Sequence, residues 1–91
     1  MTADEVIRWV IDVDRRLVTM KAFKDHPILR ASKVAEISNR SVQNISRALH
    51  EIEEQGLIES VTPDKHSWKK YMLTPDGQKV LAELEKKRLL A

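Results

Sequence analysis

Apolar residues recur three and four positions apart through most of this chain, the spacing of helices that bury one face. Val6, Val10, Val13, Leu17 and Met20 follow that spacing, and Thr2 with Glu5 three residues later forms a capping box ahead of them, so a helix is expected to start at once. A break is expected near Asp12 to Arg16. Ile7, Trp9, Ile11 and Val18 add apolar groups on other sides of the same segment, more than one stripe requires, so something must cover them. Asp25-His26-Pro27 ends the region, because a residue before proline is pushed out of the α conformation. A helix from about Ala31 then buries Val34, Ala35 and Ile37.

The next stretch is the most regular. A turn at Ser38 to Arg40 contains Asn39, which tolerates the left-handed backbone that helix ends often need, and Ser41 is a good N-cap with Asn44 at the third helical position. Ile45, Ala48, Leu49 and Ile52 lie on one face of the helix that follows, whereas Gln43, Arg47 and His50 point nearly opposite, flanked by Asn44 and Ser46. Gly56 closes this helix. Leu57 to Thr62 and about Trp68 to Thr74 read as two strands around a Pro63-Asp64-Lys65-His66 tip. Thr74 then caps a last helix with Pro75 at its first position, and Val80, Leu81 and Leu84, with Leu89 or Leu90, supply its apolar side.

Charge adds direction to this frame. The net charge of +2 is small, but residues 15 to 50 carry eight cations, from Arg15 and Arg16 to Arg40 and Arg47, against only Asp25 and Glu36, while the flanks are acidic. A second positive group, Lys65, His66, Lys69 and Lys70, falls at the expected hairpin tip. Composition narrows the rest: at 91 residues, 42% hydrophobic and 33% charged, the chain reads as one small globular domain that dimerisation would help. It contains no cysteine, which removes disulfides and Cys-based zinc sites. His26, His50 and His66 are too scattered to build a metal centre, and no phosphate loop, nucleophile elbow or flanked carboxylate pair is present, so neither metal, cofactor nor catalysis is expected. No run approaches a membrane span and the first residues lack a signal-peptide layout, so a cytoplasmic location is the default.

From Ile28 to Leu81 the sequence resembles the winged helix-turn-helix transcriptional regulators, most of all small members near the MarR and ArsR families. Lys33-Val-Ala-Glu36, Ser41-Val-Gln-Asn-Ile-Ser-Arg-Ala-Leu49, Ile52-Glu-Glu-Gln-Gly-Leu-Ile58 and Tyr71-Met-Leu-Thr-Pro-Asp-Gly77 carry the likeness, in order and correctly spaced. It implies a mainly α fold with a small β-hairpin, with an N-terminal helical region at 1–25, a helix-turn-helix at 31–56, a wing at 57–74 and a C-terminal helix at 75–91. It also implies sequence-specific binding to double-stranded DNA. Gln43, Asn44, Arg47 and His50 would face the major groove, with Arg40, Ser41 and Ser46 beside it, and Lys65, His66, Lys69 and Lys70 would sit on phosphates. The turn departs from the family's usual small residue followed by an apolar one, holding Asn39 and Arg40 instead.

The long dimerisation helices of typical MarR proteins are absent, which leaves the N-terminal segment and the last helix for that role. Ile7, Trp9, Val10, Ile11, Leu89 and Leu90 are the expected homodimer surface, the rival being that Trp9 and its neighbours fold back over the motif's own core. A small-molecule effector would have to bind in the dimer seam and is unknown. Two other functions fit the pattern: a winged helix acting as a protein interaction module of a larger complex, and a nonspecific architectural DNA-binding protein.

Overall fold

The computed structural model describes residues 2–61 and 69–87. Five helices and three short strands follow in the order α1 (Ala3–Ile11), α2 (Asp14–Ala22), β1 (Ile28–Leu29), α3 (Ala31–Ser38), α4 (Val42–Glu54), β2 (Ile58–Ser60), β3 (Tyr71–Leu73) and α5 (Pro75–Lys86). The Thr2–Glu5 capping box forms, with bonds of 3.1 and 3.3 Å, so two donors at the start of α1 are satisfied reciprocally. Helix breaks at Asp12, as the pattern anticipates, because Val13 is extended and α2 starts afresh at Asp14.

Local chemistry sets the remaining ends. Asn39 takes a φ of 58°, the only positive value at a non-glycine residue among those described, and ends α3 there. The Ser41 hydroxyl accepts from the Asn44 N–H at 3.0 Å and starts α4. At the other end Gly56 adopts a φ of 75°; its N–H reaches the Glu53 carbonyl at 2.9 Å, and that of Leu57 reaches Ile52 at 3.2 Å. This is the Schellman arrangement that hands the chain from helix to strand.

One hydrophobic cluster takes residues from every element, with Val10, Met20, Val34, Ile45, Leu49, Ile52, Ile58 and Leu84 almost fully enclosed. The polar Thr19 is also enclosed, and its hydroxyl donates to the Arg15 carbonyl at 2.6 Å. At the α4–α5 corner the Thr74 hydroxyl donates to the Gly56 carbonyl at 2.6 Å and accepts from the Gly77 N–H at 3.0 Å. The Thr74 N–H meanwhile donates to the Leu57 carbonyl at 3.0 Å. One threonine therefore caps α5 and pins it to the end of α4.

The structure corrects the sequence reading in four places. The sheet has three strands in the order β1-β3-β2, all antiparallel: Ile28 and Leu29 pair with Met72 and Tyr71, an edge that the two-strand hairpin lacked. The paired strands are also shorter than 57–62 and 68–74, and the hairpin tip lies outside the described residues. Ile37 is 46% exposed instead of buried, since α3 packs through Val34 and Ala35. Finally, Ile7 and Val10 are 6% and 0% exposed in the chain's own core, so the surplus apolar surface assigned to them as an interface is consumed internally.

Candidate nucleic-acid interface

α4 is positioned as a rod with a dry side and a wet side. Ile45, Ala48, Leu49 and Ile52 anchor it against the core, and that leaves Gln43, Ser46, Arg47 and His50 exposed along the opposite arc. Gln43 and Arg47 make no side-chain hydrogen bond or ion pair with another described residue. His50 lies 3.8 Å from the Glu54 carboxylate, one turn on. Ser41 is spent on the cap, and Asn44 is half-buried beside it.

Two ion pairs hold α2 against this unit. Glu51 takes Arg15 at 2.7 and 3.0 Å and Arg16 at 3.3 and 3.4 Å, which pulls its carboxyl from 4.5 down to about 2, first through the Arg15 hydrogen bond. Arg16 also stacks 4.0 Å from the Trp9 ring centroid and donates to the Trp9 carbonyl, tying α1 into the same node. Arg40 is fastened at the turn, donating to Asp14 at 2.7 and 3.1 Å and to the Ser38 carbonyl at 2.7 Å. The Arg40 hydrogen bond holds the Asp14 carboxyl below its ordinary value. At least four of the eight cations in the basic stretch thus have carboxylate partners inside the molecule, the fourth being Lys33, 3.6 Å from Glu36.

Another group of surface cations lies beside β1. Lys70, just before β3, lines an open groove of about 520 Å³ with Arg30, Ser32, Lys33 and Glu36 at the start of α3. Sequence reasoning missed this juxtaposition, because it depends on β1 pairing with β3 across more than forty residues. Lys69 is exposed; Lys65 and His66 lie outside the described residues, as do Leu89 and Leu90. Of the remaining interface candidates, Trp9 is half-buried under Arg16 and Ile11 is 38% exposed. Among the described residues no group of three or more His, Cys, Asp or Glu side chains is placed to hold a metal ion, and no helix is long and apolar enough to cross a membrane.

No protein-family model and no curated protein matches this sequence. Solved structures do match the fold. A mutant of TubR, a protein of type III plasmid segregation, is 17% identical with a TM-score of 0.81, over 98% of this chain and 95% of its own. AntR, an antimony-specific transcriptional repressor, is 20% identical with a TM-score of 0.77, over 93% of this chain and 73% of its own. A mutant MarR from E. coli in complex with operator DNA is 11% identical with a TM-score of 0.69, over 92% of this chain and 64% of its own. The chain therefore has the winged helix-turn-helix fold, the architecture of MarR-type transcriptional regulators.

Proposed function

We propose that this chain is a sequence-specific, double-stranded DNA-binding transcriptional regulator that works by occupying its site, with α4 in the major groove and the wing on the phosphate backbone. The observation that carries this reading is the exposed arc of α4, where Gln43 and Arg47 stand clear of partners among the described residues on a helix locked to the core. Arginine suits the two acceptors of guanine, N7 and O6, and glutamine suits the acceptor N7 and donor N6 of adenine. Lys69 and Lys70, with Lys65 and His66, then neutralise phosphates beside the groove. A transcriptional repressor and a MarR mutant complexed with operator DNA, both among the similar structures, support the reading. Arg40, held by Asp14 and Ser38, orders the turn; a phosphate contact from it would have to share that partner. The active species is a homodimer joined at the N-terminal helices.

The test is a titration into duplexes selected from a random library, with unrelated competitor DNA. Arg47→Ala is expected to cost about 1–3 kcal/mol of specific binding while leaving the melting curve unchanged. Equal affinity for a folded Arg47→Ala protein would take Arg47 out of the site.

A second reading, a protein of plasmid segregation, is favoured by one observation: the TubR mutant superposes on 98% of this chain with a TM-score of 0.81. Mapping bound sites in the host separates them. Occupied promoters with altered transcripts support the regulator, and plasmid loss on deletion without altered transcripts supports segregation.

A further inference from the structure

We propose that Val42 is a specificity-determining residue that reads the 5-methyl group of a thymine; this deepens the DNA-binding reading above and rests on it. Val42 is the first residue of α4, immediately after the Ser41 cap, and is 49% exposed. Exposed apolar side chains are common, and on its own this one would mean nothing. Its place is what matters. Side chains lean toward the N-terminus of their helix, so the two γ-methyls project from the leading end of α4, the end that contacts base edges when such a helix enters the major groove.

The neighbours on that end are polar. Ser46 stands one turn along on the same flank, and Gln43 and Arg47 lie on the adjoining arc, all exposed. Val42 is the only large hydrophobic residue of α4 left at the surface; the others exposed among the described residues, Ile11, Ile28 and Ile37, lie on other elements. Core packing does not explain it, because Ile45, Ala48, Leu49 and Ile52 already form the buried face. Helix propensity does not explain it either, since a β-branched residue is a middling choice at a solvent-facing helical position. The thymine methyl is the one apolar group that a base pair shows in the major groove. A valine among hydrogen-bonding side chains is matched to it, and contact removes both from water.

The experiment uses the full chain and single base changes. Duplexes enriched from a random library define the bound sequence, and each thymine in it is then replaced by uracil, which removes only the methyl group. Wild type should lose about threefold to tenfold in affinity at one thymine per half-site. Val42→Ser should bind the thymine and uracil duplexes equally, and Val42→Thr, which keeps one γ-methyl, should retain part of the preference. Circular dichroism melting confirms that both variants fold. If no thymine is sensitive in wild type, or if Val42→Ser keeps the sensitivity, the assignment of Val42 is overturned while the enriched sequence still stands. If no sequence is enriched at all, the sequence-specific reading itself fails.

Discussion

Glu51 sits between two guanidinium groups with about a fifth of its side chain exposed, and its acidity follows from that setting. Its carboxyl falls to about 2 from 4.5, so the folded state holds the charged form more strongly than the unfolded chain does. For a depressed carboxylate the stabilisation is complete above the unfolded value near 4.5 and disappears as pH falls through that value toward 2. Glu51→Gln is therefore expected to cost about 1–2 kcal/mol at neutral pH, a modest figure because the pair is partly open to solvent. That deficit should shrink steadily in urea titrations between pH 5 and pH 2. A deficit independent of pH would show that Glu51 acts through packing instead of charge. Asp14, lowered by Arg40, titrates in the same sense, but it is well exposed and adds little.

Among the elements, α5 illustrates how a short motif becomes a joint. The Cβ that alanine would add at Gly77 falls 1.9 Å from the Leu57 carbonyl oxygen, a backbone atom that cannot step aside. Gly56 is the opposite case, with nothing within 4 Å and only its φ of 75° to defend. Gly77→Ala should thus cost at least about 2 kcal/mol, because α5 must lift from the corner, and Gly56→Ala about 1–2 kcal/mol from backbone strain alone. Gly56→Asn should recover part of the latter loss, as Asn39 tolerates the same conformation at the end of α3. Denaturation midpoints decide this; a Gly77→Ala midpoint equal to wild type would mean that α5 is not seated on Leu57.

For the molecule as a whole, the proposed function requires one small domain to span two turns of DNA. A two-fold dimer would present two copies of α4 to successive major grooves, roughly 34 Å apart, and so combine two weak contacts into one strong one. The burial of Ile7 and Val10 moves the probe of that interface to Ile11, which is exposed at the end of α1. Trp9 is a poorer probe because its ring carries Arg16. Sedimentation equilibrium at micromolar concentration is expected to give a dimer mass for the full chain and a monomer mass for Ile11→Asp, with helix content unchanged. A monomer mass for wild type would remove the dimer.

What was legible in the sequence was local. The capping box at Thr2, the left-handed Asn39, the Ser41 cap, the Gly56 stop and the Thr74-Pro75 start each depend on residues within one turn of one another, and the buried stripe of α4 depends on a 3.6-residue period. Those signals, in order, were enough for the winged helix-turn-helix. The tertiary structure alone decided the rest. β1 is two residues long and exists only because β3 comes alongside it. Arg15, Arg16 and Arg40 read as part of a basic surface, yet three-dimensional packing brings Glu51 and Asp14 to them, across thirty-five and twenty-six residues for the contacts with Arg16 and Arg40. Ile7 and Val10 read as surplus because periodicity counts one helix at a time, whereas a core is filled by all the elements that converge on it. Spacing along a chain reports which face a residue occupies, and only the folded molecule reports what that face meets.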